Sequence, residues 1–61
     1  MRRAEAISAL DHAERAARAL SRALAFDEAG KPGMGCQAVA EAERELRAAL
    51  EALGIRTKEA P

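Results

Sequence analysis

The sequence predicts an all-α antiparallel helical hairpin, with one helix over about 2–28, a turn over 29–35 and a second helix over about 36–53. Alanine, leucine, arginine and glutamate dominate the chain, and these residues have strong helix propensity. No glycine or proline interrupts residues 2–28, whereas three of the four glycines and one of the two prolines fall within 30–35. We expect residues 1–54 to form one domain and residues 55–61 to be a frayed tail.

The first helix is predicted to be amphipathic. Its apolar residues recur every three or four positions and form one stripe along the helix. The stripe consists of Ala6, Leu10, Ala13, Ala17, Leu20 and Leu24. The stripe is widened by Ala9, Ala16 and Ala23 on one side and by Ile7 on the other. The opposite face carries Asp11, Glu14, Arg15, Arg18 and Arg22. The spacing of four residues favours the ion pairs Asp11–Arg15 and Glu14–Arg18.

The second helix has a matching apolar face and a defined end. Its apolar face consists of Val39, Ala42, Leu46, Ala49, Leu50 and Leu53. An ion pair is expected between Glu43 and Arg47. Gly54 and Ile55 indicate a Schellman motif, in which glycine takes a left-handed conformation and Ile55 folds back onto Leu50.

The segment GKPGMGCQ at 30–37 is predicted to be the corner between the helices. Gly30 would end the first helix, Pro32-Gly33 fits the middle of a type II turn, and Gly35 would cap the second helix. The spacing of Gly30 and Gly35 is that of a phosphate-binding loop. Cys36-Gln37 stands where such a loop needs Lys and Ser/Thr, and no strand precedes it, so nucleotide binding is not expected.

A chain of 61 residues forms too small a hydrophobic core to be stable without further support. We expect oligomerisation to supply that support. One cysteine excludes an internal disulfide, and one histidine without a Cys/His cluster excludes a structural zinc site. We expect a homodimer that forms a four-helix bundle, with the first ten residues and their Ile7 and Leu10 projecting beyond the hairpin. The expected oligomer or partner interface comprises Ile7, Leu10, Ala13, Ala17, Leu20, Leu24, Val39, Ala42, Leu46, Ala49, Leu50 and Leu53.

No catalytic, cofactor or metal residues are predicted, and the protein is not expected to be an enzyme. His12 has no histidine or carboxylate at position 8 or 16 to share a metal ion. Cys36 lies about 24 Å along the hairpin from His12, which excludes a Cys-His dyad within one chain. The interpretation for Cys36 is a small residue near the corner, with a reactive or redox thiol as the alternative.

The arginines of the first helix indicate nucleic-acid binding as an alternative function. Residues 1–26 carry five arginines and three acids, whereas residues 36–53 carry two arginines and four acids. Two copies side by side would align Arg15, Arg18 and Arg22 into a basic strip that contacts phosphates. The simpler interpretation is a solvated face neutralised by Asp11 and Glu14.

Two resemblances bear on function. The length, the hairpin and the expected dimer resemble Rop-type plasmid RNA-binding proteins in architecture. The turn at Gly30–Gly33, the Glu-Leu-Arg at 45–47 and the Leu-Gly-Ile at 53–55 resemble the C-terminal part of phage terminase small subunits. The chain departs from the latter at Cys36-Gln37, where those proteins tend to carry His-Pro. These resemblances imply DNA or RNA binding.

The leading functional hypothesis is a small protein of phage, plasmid or bacterial type that acts by protein–protein interaction as an adaptor, inhibitor or regulator. Because charges interrupt every apolar run, no membrane span is expected, and we expect a cytoplasmic protein. The identity of the protein partner does not follow from the sequence.

Overall fold

The computed structural model describes residues 1–55, which fold into two helices and contain no strand. Helix α1 spans Arg3–Glu28 and helix α2 spans Pro32–Ala52, and the two pack against each other along their length. The predicted all-helical hairpin is therefore confirmed. The tail predicted over 55–61 lies, except for Ile55, outside the described residues.

Helix α1 begins and ends through local hydrogen bonds. At its start, the Arg2 backbone N–H donates to the Glu5 carboxylate at 2.9 Å. At its end, Gly30 takes a φ of 74°. The Lys31 N–H donates to the Phe26 carbonyl at 2.8 Å, and the Gly30 N–H donates to the Asp27 carbonyl at 3.0 Å. This is a Schellman motif, so the predicted role of Gly30 is confirmed.

The start of α2 differs from the prediction. The helix begins at Pro32 rather than near residue 36, and the Gly35 N–H already donates to the Lys31 carbonyl at 3.2 Å. Gly33 does not adopt the positive φ that a type II turn requires, so the predicted turn and the predicted cap at Gly35 are wrong. The physical reason lies in Pro32. A proline ring presets a helical φ, and the N–H that proline lacks has no partner in a first helical turn.

The end of α2 follows the prediction. Gly54 has a φ of 78°. The Ile55 N–H donates to the Leu50 carbonyl at 2.9 Å, and the Gly54 N–H donates to the Glu51 carbonyl at 2.9 Å. The Schellman motif predicted at Gly54 and Ile55 is confirmed in its backbone hydrogen bonds.

The helices pack through alanines. Ala16, Ala19 and Ala42 are 1%, 0% and 1% exposed and form the centre of the contact. The full buried set of the described residues is Ala9, Ala16, Ala19, Ala23, Gly35, Ala38, Ala42 and Ala49. On α1 this is mainly the alanine flank of the predicted stripe rather than its leucines. Small side chains allow two helix backbones to approach closely, and no large side chain among residues 1–55 is fully buried.

Gly35 marks a point of close approach near the corner. Its backbone is buried against α1, and a Cβ atom placed there would lie 3.3 Å from the Ala23 carbonyl oxygen. At Gly33 and Gly30 a Cβ atom would meet nothing within 4 Å. At Gly35 a side chain would therefore press against the other helix, whereas Gly30 is favoured by its backbone conformation.

The longer α2 also changes how far the hairpin extends. Met1, Ala6 and Leu10 line one groove together with Leu50 and Leu53. The prediction that the first ten residues project beyond the hairpin is therefore wrong. Because α2 starts earlier, its C-terminal end lies beside the start of α1. Ile7 lies on the side of α1 that α2 does not cover and remains exposed.

Candidate interaction faces

The hairpin has two broad sides of opposite character. One side, here the apolar face, is defined by six large aliphatic side chains: Leu10, Leu20, Leu24, Val39, Leu46 and Leu50. The other side, here the polar face, is defined by four side chains that join the helices: His12, Arg22, Glu41 and Glu45. Both helices contribute to each side.

The apolar face follows from the alanine packing. The predicted leucine stripe of α1 adjoins the alanine flank, so the leucines lie beside the helix–helix contact and not within it. Their exposed fractions remain between 38% for Leu50 and 62% for Leu24. A group of exposed aliphatic side chains of this kind is a candidate interaction surface, because burying apolar area is the main driving force for association.

Two shallow grooves lie on the apolar face. The first is near the helix ends remote from the corner and is lined by Leu10, Ala13, Leu46 and Leu50, among others. The second is near the corner and is lined by Leu24, Val39 and Cys36, among others. The first groove is lined by Met1, alanines and leucines, and the second is mostly apolar but includes Asp27. These grooves can receive apolar side chains from a partner, and they hold no set of converging polar groups that would orient a small substrate.

The structure places the predicted interface residues in three environments. Most of the large ones, from Leu10 to Leu50, lie exposed on the apolar face. Ala42 and Ala49 are instead buried between the two helices of the hairpin. Ile7 lies on the outer side of α1, next to Ala4 and Glu14. The surface open to a partner is therefore the leucine and valine part of the predicted set.

The polar face joins the helices through two contacts that the sequence analysis missed. Nδ1 of His12 lies 2.7 Å from Oε1 of Glu45, with both side chains about three-quarters buried. Arg22 forms an ion pair with Glu41. Both contacts depend on which residues of α1 and α2 come opposite each other. No spacing within a single helix signals them.

Two of the ion pairs predicted within single helices are present. Arg15 contacts Asp11 at 3.0 Å, and Arg47 contacts Glu43 at 2.7 Å. The pair predicted between Glu14 and Arg18 is absent from the described part of the chain. These exposed contacts each contribute little to stability.

The candidate nucleic-acid residues are largely engaged with carboxylates. Arg15 pairs with Asp11 and Arg22 pairs with Glu41, which leaves Arg18 without an ion pair among residues 1–55. Helix α1 also extends to Glu28 and so includes Asp27 and Glu28 at its C-terminal end. Both features reduce the positive potential that phosphate contacts need.

Cys36 and His12 lie on opposite sides of the hairpin. Cys36 is exposed and lines the corner groove of the apolar face, in the second turn of α2 rather than the predicted first turn. His12 lies on the polar face against Glu45. The geometry of one hairpin therefore does not bring His12 to the thiol.

Within residues 1–55, no three His, Cys, Asp or Glu side chains come together as a potential metal site. In that same region, neither α1 nor α2 combines the length with the apolar character needed to cross a bilayer.

Comparisons of the chain with protein-family models, with curated proteins and with solved structures find no match.

Proposed function

We propose that this protein is a non-enzymatic, self-associating helical hairpin that acts through protein–protein contact, with the apolar face as its interaction surface. In this proposal two copies form a four-helix bundle. The dimer, or the hairpin before it dimerises, binds a protein partner as an adaptor, inhibitor or regulator.

This proposal rests on one observation: the small apolar residues are buried and the large ones are exposed, the reverse of an ordinary protein core. The interior of the hairpin consists of alanines, whereas the large aliphatic side chains lie on one exposed face. Fully burying a leucine or valine is worth about 1.5–3 kcal/mol, and burying an alanine is worth much less. A substantial part of the apolar stabilisation available to this sequence is therefore realised only when something covers that face.

The size of the apolar face suits a dimer interface. The face is two helices wide, about 20 Å, and residues 6–24 of α1 span about 27 Å. Its projected area of roughly 550 Å² is of the same order as the roughly 800 Å² per partner of a standard protein interface. Face-to-face stacking would produce the layered geometry of a four-helix bundle.

Sedimentation equilibrium at micromolar concentration tests self-association. We expect the unaltered protein to have the mass of a dimer. Leu20→Glu and Leu46→Glu place a charge in the apolar face and should shift the mass to that of a monomer or unfold the chain. Ala25→Glu is the matched control, because Ala25 is exposed on α1 away from that face. A folded monomer for the unaltered protein contradicts the proposal.

Nucleic-acid binding through Arg15, Arg18 and Arg22 is the alternative function. Its basis is the clustering of these arginines along α1, and the carboxylate contacts of Arg15 and Arg22 weaken it. The sequence also lacks exposed aromatic residues on which bases stack, since its single aromatic residue, Phe26, is partly buried.

A further inference from the structure

We propose that a cleft on the polar face binds an acidic segment of a protein partner, with a carboxylate at Arg44 and the neighbouring apolar side chain against Phe26 and Met34. This inference rests on the proposed function in one respect, that the ligand is part of a protein. The cleft is bordered by the Arg22–Glu41 pair of the polar face, so it stays open when the apolar face is covered. Self-association and partner binding therefore use different surfaces of the hairpin.

The cleft lies between α1 and α2 toward the corner. Its volume is about 440 Å³, which is within the range of sites that bind small ligands. Charged, amide and apolar side chains from both helices line it together: Arg22, Phe26, Met34, Gln37, Glu41 and Arg44. The two grooves of the apolar face have no such combination. This cleft can therefore both orient a polar group and cover an apolar one.

The apolar part of the lining comes from the two sides of the corner. Phe26 is the single aromatic residue of the sequence and is partly buried near the end of α1. Met34 lies in the first turn of α2 and remains 47% exposed. An aromatic ring beside a flexible thioether accepts apolar side chains of different shapes. Covering Met34 is thus a gain that a ligand in this cleft would bring.

The charges of the lining favour an anion. Arg22 is already paired with Glu41 across the two helices. Arg44 lies three residues after Glu41 on α2 and has no ion pair among residues 1–55. The lining therefore carries two arginines against one glutamate, a net charge of +1, and the guanidinium of Arg44 provides the positive charge that is not neutralised.

A carboxylate fits this charge better than a phosphate does. A carboxylate has a single negative charge, whereas a phosphate monoester carries about −1.5 to −2 at pH 7. The planar guanidinium group can donate two parallel hydrogen bonds to one carboxylate. Gln37 lines the same cleft, and its amide can both donate to and accept from the backbone of a bound segment. An aspartate or glutamate next to an apolar residue is therefore the expected ligand.

The test compares two peptides that differ in one charge, acetyl-Phe-Glu-Ala-amide and acetyl-Phe-Gln-Ala-amide. Both are titrated into the ¹⁵N-labelled protein, and the backbone N–H signals of Gln37 and Ala38 are followed by NMR. We expect the peptide with glutamate to bind roughly two- to fivefold more tightly, as an exposed ion pair contributes. Equal affinities for the two peptides, or no shift of these signals, overturns the proposal.

Matched variants of the protein assign the effect to Arg44. Arg44→Gln should remove the difference between the two peptides. Arg18→Gln is the control and should preserve the difference, because Arg18 is exposed, has no ion pair among residues 1–55 and does not line the cleft. Both variants change the net charge of the protein equally. If both reduce the difference to the same extent, the attraction is non-specific and the proposal is wrong.

Two further measurements test the apolar part and the kind of ligand. Met34→Ala should weaken both peptides alike, and unchanged affinities overturn the placement of the apolar side chain. Free 3-phenylpropionate should bind more weakly than the peptide with glutamate. If it binds as tightly, the cleft is a site for small acids and not for a protein segment.

Self-association and this site can fail separately, because the cleft lies within one hairpin. A monomer by sedimentation that still distinguishes the two peptides through Arg44 contradicts the dimer and supports the site. A dimer that does not distinguish them supports self-association and overturns the site.

Discussion

Nδ1 of His12 lies 2.7 Å from Oε1 of Glu45, and this contact joins α1 to α2 on the polar face. Both side chains are largely shielded from water, at 28% and 25% exposure. Because a partly buried hydrogen bond to a charged group is worth more than an exposed ion pair, this contact helps to orient the two helices. It keeps the polar sides of both helices together and thereby turns their leucines and valines to the opposite side.

We predict that the His12–Glu45 contact couples the two helices energetically. In a double-mutant cycle with His12→Ala and Glu45→Ala, the coupling free energy should be about 0.5–1.5 kcal/mol by chemical denaturation. Pairing His12→Ala with Glu51→Ala is the control and should give additive effects, because Glu51 lies on the exposed side of α2. Additivity in both cycles would contradict a role for the contact in holding the helices.

Gly35 and Gly33 should respond in opposite ways to the same substitution. Gly33→Gln replaces an exposed helical glycine with a good helix former and should stabilise the protein by about 0.5–1 kcal/mol. Gly35→Gln places a Cβ atom 3.3 Å from the Ala23 carbonyl oxygen, a tight contact with the backbone of α1 from which the helices must shift slightly. We expect it to destabilise the protein by about 1–3 kcal/mol. Thermal unfolding followed by circular dichroism measures both, and equal effects would argue against the close approach.

Gly30 should be sensitive to backbone conformation rather than to size. Gly30→Ala forces a residue with a Cβ atom to adopt a φ of 74°, and we expect a loss of about 1–2 kcal/mol. Gly30→Asn should lose less, because asparagine tolerates the left-handed region better than alanine does. Denaturant titration of the three proteins checks this order. A Gly30→Ala variant as stable as the unaltered protein would be inconsistent with the Schellman motif.

The alanine contact should not accept larger side chains. Ala42 is 1% exposed where α2 meets Ala16 and Ala19 of α1. Ala42→Leu should therefore destabilise the hairpin by about 1–3 kcal/mol through overpacking. Ala40→Leu, an exposed position on the same helix, is the control and should change stability by less than about 0.5 kcal/mol. If the Ala42 variant is as stable as the control, the helices do not pack through this alanine.

The alternative function has a direct test. If the protein binds nucleic acid, fluorescence anisotropy with short duplex DNA and RNA should detect binding that weakens steeply with salt and with Arg15→Ala, Arg18→Ala and Arg22→Ala combined. Under the proposal of protein–protein contact, we expect no binding that these substitutions alter. The triple variant also loses the Arg22–Glu41 pair between the helices. Its sedimentation is therefore measured as a control for a changed fold or oligomeric state.

The C-terminal ends of both helices could be predicted because they depend on residues that are close in sequence. Gly30 and Gly54 adopt the left-handed conformation at positions where the helical pattern stops, and the Schellman hydrogen bonds around them join residues at most five apart. The start of α2 could not be placed from the same residues. Pro32 fits both a turn and a first helical turn, and the structure places it at the first position of α2, with Gly35 close to Ala23 of the other helix.

By itself the sequence determined that two amphipathic helices form, how they end, and which i,i+4 ion pairs are available. Only the tertiary structure decided which side of each helix faces the other. On α1 the buried alanines, here the alanine sector, lie next to the exposed leucines, here the leucine sector. The second helix of a hairpin can cover only one of these two groups. Close approach of alanine backbones, together with the contacts of His12 with Glu45 and Arg22 with Glu41, selects the alanine sector. The leucine sector is left exposed, and for that reason the candidate interaction surface emerges only when the two helices are placed together.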